Sequence, residues 1–280
     1  MASSFEPTLV VERLDGTKYD LGHEGIRVIS FDPPSPAYQH TYTQMGHYGA
    51  KRTNTVMQQV VLPLTFDVYA ENNYDYELQR LKVLKIFDSQ TEFYIYSVRM
   101  PYLRWRVIAQ PFSYPRLGNY WKAKNISISL DCPTGFAETS VTSSKLLSDE
   151  LLHLGFQMDI DSKALPQYQF SNISHFNFEN IGRIPLLADE NPVVIKFKGN
   201  APNGLTLINH TTNQKFQYFK PLTKSNTLEL NGLIPIVDGK QKLGNGNSSR
   251  SYLDFKVGQN SIELIGASDF HISFETRFYF

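Results

Sequence analysis

The chain has 280 residues, with 27 Lys plus Arg against 27 Asp plus Glu and a formal net charge of +0 at pH 7. That length suits two cores rather than one, and a composition of 41% hydrophobic and 19% charged residues excludes a disordered chain. A neutral chain has no overall field to gather nucleic acid or an anionic membrane, so neither sequence-specific nucleic-acid binding nor membrane insertion is expected, and little repulsion keeps copies apart.

No run of about 18 apolar residues is present to span a bilayer. The opening MASSFEPTLVVERLDG lacks the basic region, apolar run and small-residue site of a secretory signal, so synthesis in a cytoplasm is expected. The sequons at Asn125, Asn172, Asn209 and Asn247 are then read as chance.

In chain order, TLVVERL and IRVISF alternate as strands. DPPSPAYQHTYTQMGHYGAKRTNT follows. Its early prolines break regular structure, and Gly46 and Gly49 permit a tight reversal between tyrosines 38, 42 and 48. An extended arm or hairpin is expected there. After the strand VMQQVVLPLTFDVYA comes the clearest helix, NNYDYELQRLKVLKIF, with Asn72 or Asn73 as its cap. Asp75 and Glu77 sit early and Arg80, Lys82 and Lys85 late, complementing the helix dipole. Leu78, Leu81, Leu84 and Phe87 are expected to face the core. EFYIYSV, LRWRVIAQPF and KAKNISISLDC read as strands closing a first domain over 1–137.

Residues 138–166 read as a linker carrying a short amphipathic helix, with Ser143 or Ser144 as cap and Leu147, Leu151 and Leu154 on its apolar face. From 167 to 280 the pattern is all strand: QYQFSN, HFNFEN, PVVIKFKG, LTLINHTT, KFQYFK, TLELNG, IPIVDG, SYLDFKV, NSIELIGA and HISFETRFYF. Asn203-Gly204, Asn231-Gly232 and Asp238-Gly239 signal hairpins. The fold class is mainly β: a sandwich-like first domain with one helix, then a β-sandwich or jelly roll.

Signatures of chemistry are missing. The seven histidines form no metal-spaced cluster, and no nucleophile elbow, phosphate loop or dinucleotide fingerprint occurs. The single Cys132 allows no internal disulfide, and beside Asp131 it reads as a small packed residue rather than a thiolate nucleophile. Asp159 with Asp161, or Glu229 with Asp238, are the carboxylate pairs a glycosidase would need. No catalytic residue, metal site or cofactor is expected. One stretch is unusual: no Asp or Glu occurs from Phe93 to Leu130, while Arg99, Arg104, Arg106 and Arg116 are interleaved with aromatics. Pairing with acids of the same domain ranks first, pairing across a subunit interface second, and single-stranded nucleic acid third.

The order of MGHYGAKR, VVLPLTFDVYA, YELQRLKVLKIF, EFYIYSVRMPYLRWRVIAQP, ISISLDCPTGF, FSNISHFNFENIGRIP and KVGQNSIELIGASDFHISFETRFYF resembles the distal tail protein (Dit) family of siphophages infecting Gram-positive bacteria. That resemblance implies a structural virion protein at the distal end of the tail, a hexameric ring built by the N-terminal domain, and a galectin-like C-terminal sandwich. It implies as partners further copies of the chain, the tail tube protein, a tail-associated lysin or tail-tip hub protein, and a receptor-binding protein. Tyr42, Gly46, Tyr48, Gly49, Arg52, Arg104 and Arg106 are the candidate interface residues. A galectin-like fold raises a rival reading, a cell-wall carbohydrate-binding module acting in host adsorption. Both tryptophans, Trp105 and Trp121, lie in the first domain, which leaves Tyr168, Tyr218 and Tyr252 to stack on a sugar. In the last segment Ile272, Phe274, Phe278 and Phe280 are expected to anchor the core, with Glu275 and Arg277 as a surface ion pair.

Overall fold

The computed structural model describes residues 5–6, 8–118, 121–146, 165–244 and 246–280. The chain divides into two compact units, Met1–Glu138 and Thr139–Phe280. The fold is mainly β, with one α-helix among the described residues.

The first unit begins with β1 (Leu9–Arg13), β2 (Lys18–Asp20), β3 (Ile26–Phe31), β4 (Tyr38–Gln44), β5 (Ala50–Met57) and β6 (Val60–Tyr69). Then come α1 (Asn73–Ile86), β7 (Phe93–Ser97), β8 (Leu103–Ala109) and β9 (Lys122–Cys132), and the two-residue β10 (Glu138–Thr139) falls where the first unit ends in the sequence. The main sheet runs β2-β1-β7-β8-β9-β6-β3, all antiparallel. Alternate residues of β6 and β9, among them Leu62, Leu64, Phe66, Ile126, Ile128 and Leu130, point into one core. The helix closes that core through Phe87, which stacks on Phe66 at 5.7 Å and meets Phe93 edge-on at 6.2 Å.

Asn72 caps α1, its side chain accepting from the Asp75 N–H at 2.9 Å. The expected core face of this helix is corrected. Tyr76, Gln79, Val83 and Ile86 are buried, together with Phe87, whereas Leu78 and Leu81 are 65% and 63% exposed and Leu84 is exposed as well. The reason is geometric. Three residues turn a helix by about 300°, so a strict every-third run drifts by about 60° per step. From Leu78 to Phe87 the run therefore spirals from the solvent side to the core side.

The second unit contains β11 (Gln169–Ser171), β12 (His175–Asn180), β13 (Val194–Asn200), β14 (Leu205–Asn209), β15 (Gln214–Tyr218) and β16 (Thr227–Asn231). It continues through β17 (Ile234–Val237), β18 (Lys240–Gln241), β19 (Gly258–Ile265) and β20 (Ser268–Glu275). One sheet runs β11-β20-β13-β16-β17-β18 and the other β12-β19-β14-β15. They meet through aromatics: Phe170 on β11 stacks on Phe176 of β12 at 4.1 Å, and Phe274 on β20 packs against Phe176 and Phe178 at 5.7 and 5.4 Å. This is a two-sheet sandwich.

Two turn expectations hold and one does not. Asp238 and Gly239, with φ of 48° and 75°, make the two-residue turn between β17 and β18; the hairpin expected at Asn231-Gly232 also forms, one residue on, with Gly232 (φ 57°) and Leu233 between the paired Asn231 and Ile234. Asn203-Gly204 instead carries the chain from β13 in one sheet to β14 in the other. The expected strand SYLDFKV forms only a single bridge, Phe255 to Leu186. Side chains take its backbone groups: Gln214 Oε1 accepts from Asp254 N–H at 2.6 Å, Asn209 Nδ2 donates to Asp254 O, and Asn260 holds both polar groups of Lys256. Such bonds compete with a ladder.

The expected linker helix through Leu147, Leu151 and Leu154 lies outside the described residues. The Ser143 hydroxyl donates to Phe274 O at 2.6 Å and accepts from Thr276 N–H at 3.2 Å. β20 ends at Glu275, yet burial alternates onward, with Ile272, Phe274, Thr276 and Phe278 buried and Phe280 half-buried. The segment after β20 is held by Ser143 N–H to Thr276 O at 2.8 Å, Thr139 N–H to Phe278 O at 2.9 Å and Arg183 N–H to Tyr279 O at 2.7 Å.

Candidate assembly surface

The first unit presents an arm. β4 and β5 pair only with each other, and every residue in them is exposed except Met57, which is half-buried. Their register places Tyr38 opposite Met57, His40 opposite Thr55 and Tyr42 opposite Arg52, so one face carries Tyr38, His40, Tyr42, Arg52 and Met57. The reversal is closed by Met45 N–H to Gly49 O at 3.0 Å. Gly46 and Gly49, at φ of 65° and 80°, adopt backbone shapes that side chains resist. They leave Tyr48, 92% exposed, at the tip beside exposed Met45. A lone two-stranded hairpin is marginal in water, and it offers two unpaired edges. From residue 33 to 66 no residue is acidic, and Lys51 and Arg52 are the arm's fixed charges.

A second exposed feature is the outer side of α1. Tyr74, Leu78 and Leu81 follow at i, i+4 and i+7, opposite the buried residues, and Tyr74 is 86% exposed. Glu77 flanks this stripe, with Arg80 3.5 Å away. The sequence reading missed it by assigning Leu78 and Leu81 to the core; plotting the residues at about 100° per position would have separated the two faces.

Arg104 and Arg106, expected at an interface, are engaged inside their own unit. Arg104 is 7% exposed. Its Nε and Nη2 donate to Glu138 Oε1 at 2.9 and 2.8 Å, Glu12 lies 3.8 Å away, and the guanidinium sits 3.5 Å from the Tyr94 ring centroid. Arg106 pairs with Glu92. Acids from outside the acid-free stretch therefore pair with these two arginines, carried alongside by strand pairing such as Glu12 opposite Tyr94 and Tyr94 opposite Arg106.

The chemical candidates are spent on structure. Asp238 accepts from Thr227 N–H and Asn226 Nδ2, each at 2.8 Å, and these bonds hold its carboxyl below the usual range. Cys132 is buried and its thiol is pushed up by that burial, opposite to a nucleophile. Asp159 and Asp161 lie outside the described residues. Among the described residues no group of three or more His, Cys, Asp and Glu is placed to hold a metal ion. Tyr168 and Tyr218 are buried, which removes two of the three rings expected to stack on a sugar; Tyr252 is exposed. Burial drives the Tyr168 phenol far up, and it donates to Glu179 O at 3.1 Å. Glu275 pairs with Lys196 at 2.8 Å and Arg277 donates to Thr139 O, so they do not form the expected pair with each other.

Residues 14–132 match the family model described as phage tail protein RIFT-related domain. The matched residues all lie in the N-terminal unit. The match runs from the residue after β1 to the end of β9, so the arm and α1 both lie within the matched segment. Among solved structures, the Dit (gp 19.1) protein of phage SPP1 is similar over 96% of this chain and 99% of its own, with a TM-score of 0.66 and 10% identity. It is described as a paradigm of hub adsorption apparatus in phages infecting Gram-positive bacteria. At that identity the likeness establishes a shared fold, reaching beyond the matched segment into the second unit. Chains of the phage p2 baseplate in its activated conformation are more distant: with Sr, TM-score 0.48, 10% identity, 96% of this chain and 97% of that one; with Ca, 0.48, 9%, and 97% of each. A comparison with curated protein sequences gave no match.

Proposed function

We propose that this chain is a structural virion protein that forms a hexameric ring at the distal end of a siphophage tail. The ring joins the tail tube to the baseplate and serves as the hub for tail-tip proteins. One observation carries the reading: a RIFT-related domain holds out an arm exposed along its whole length, a form that calls for a neighbour to cover it. In a ring each contact is heterologous, with one patch of a copy meeting a different patch of the next. The tail tube protein lies on one side, a tail-associated lysin or tail-tip hub protein on the other. The second unit is free to carry a receptor-binding protein. No catalytic step is assigned to it, and the rival reading as a carbohydrate-binding module loses support with two of its three rings buried.

Native mass spectrometry and electron microscopy test this. The expected species is a closed ring of six 32.0 kDa chains. A monomer at high concentration, together with virions whose tail tip lacks this chain as a ring, overturns the reading.

A further inference from the structure

We infer that the second unit carries a binding site for a phosphate group, in a hollow on the outer face of its six-stranded sheet, with Lys198, His271 and Asn172 as the donors. The site does not rest on the ring reading.

The hollow has a volume of about 430 Å³. That lies within the range of about 300–1,000 Å³ for small-molecule sites, so it has room for more than a bare ion. Strand pairing sets its floor. His271 on β20 stands opposite Ser171 of β11 on one side and Lys198 of β13 on the other. Phe170, Phe197, Phe270 and Ile272 beside them are buried while these three are exposed, so the row lies on the solvent face. With strands about 4.8 Å apart, the row spans about 10 Å. Asn172, Lys224 and Asp269 complete the rim.

Acceptors in the hollow are spent on the protein, and donors are left over. Asn172 Oδ1 accepts from Phe270 N–H at 2.7 Å, so the amide nitrogen keeps its protons for a ligand. Ser171 Oγ lies 3.0 Å from His271 Nδ1. With the hydroxyl donating, the neutral ring carries its proton on Nε2, and the charged ring carries one there as well. Asp269 pairs with Lys224 at 3.2 Å. Lys198 has no ion-pair partner among the described residues. Thr227 follows Lys198 in the row, and Asp238 beside it has its oxygens taken by Thr227 N–H and Asn226 Nδ2.

Among the described residues lining the hollow, two ammonium groups therefore face one carboxylate. Such a site fits a ligand that carries negative charge and only accepts. A phosphate turns acceptor oxygens to donors arriving from three strands, whereas a carboxylate presents them in one plane. A sugar, whose hydroxyls also donate, finds Asp269 as the charged acceptor, already held by Lys224.

Ligand-observed NMR on the full chain tests the site, with glycerol phosphate, inorganic phosphate, acetate and glycerol as probes. Saturable binding of both phosphates at millimolar concentrations is expected, and none of glycerol. Lys198→Ala should raise the Kd for glycerol phosphate about tenfold, His271→Ala should weaken binding, and Lys198→Glu should abolish it. Lys215→Ala, on the other sheet, should leave it unchanged. The altered side chains are exposed, so the melting temperature should hold. Tighter binding of glycerol phosphate than of inorganic phosphate assigns the site to a phosphoester; equal binding assigns it to free phosphate. No saturable binding of either phosphate, binding unchanged in Lys198→Glu, or acetate bound as tightly as phosphate overturns the inference, whether or not the chain forms rings.

Discussion

Phe278 lies beyond the last regular strand yet is fully buried, 5.5 Å from the Tyr168 ring and 6.4 Å from that of Phe178. Replacing it with alanine empties a site walled by Tyr168, just before β11, and Phe178 on β12. Phe→Ala substitutions in such places cost about 3–5 kcal/mol. The backbone bonds from Thr139 and Ser143 constrain this segment, so it is poorly placed to collapse into the space, which favours the upper part of that range. Domain stabilities run about 5–15 kcal/mol, so the substitution removes a large share of what holds the second unit. With about 2–4 °C of melting temperature lost per kcal/mol in a unit of this size, its transition should fall by about 10 °C or more. Differential scanning calorimetry of Phe278→Ala reads this, with limited proteolysis showing cleavage confined to the second unit. A transition displaced by less than about 2 °C would refute the claim that this residue anchors the sandwich.

Other substitutions separate surface from core elsewhere. In the isolated chain Leu78→Ser should change stability by less than about 0.5 kcal/mol in urea denaturation, whereas Val83→Ala, one turn along on the buried side, should cost about 2 kcal/mol. Arg104→Ala removes both guanidinium bonds to Glu138 from a largely buried site and should cost about 3 kcal/mol; Arg104→Lys should recover only part of this, lacking the planar fork. Asp238 has a carboxyl held below its ordinary value by Thr227 and Asn226. Its contribution is therefore present above the unfolded carboxylate pKa and lost as pH falls through the folded one. Asp238→Asn should flatten the acid limb of a denaturation profile, and an unchanged slope would show the turn does not titrate.

What the sequence made legible was mostly local. The cap at Asn72, the hairpin with Gly46 and Gly49 at its tip, the Asp238-Gly239 turn and the extent of β9 follow from interactions a few residues apart. What misled was rotation and distance. Leu78 and Leu81 look like core because they are leucines, and only their angle relative to Val83 and Ile86 shows otherwise. The partners of Arg104 lie at Glu12 and Glu138, brought in by strand order that no short window contains. Residues 251–257 alternate as a strand should, yet Gln214 and Asn260 satisfy their backbone from elsewhere. Asn203-Gly204 carries a hairpin signal, but the strands it joins lie in different sheets. The exposed stripe on α1 was hidden for the same reason as the core face: apolar residues occur on both sides of this helix, and composition alone does not rank them.

The bonds between Thr139, Ser143 and the 276–278 segment have a consequence for biosynthesis. Ser143 and Thr276 are separated by 133 residues, so this closure waits until translation has passed residue 278. The first unit, whose core ends at Cys132, can collapse while the remainder is still being made. The sandwich cannot, and until its closing segment arrives its aromatic faces stay open to other nascent chains. Were the proposed assembly to start from early-folding first units, it would bring unfinished sandwiches together. Productive assembly is therefore expected to favour chains whose second unit has already closed.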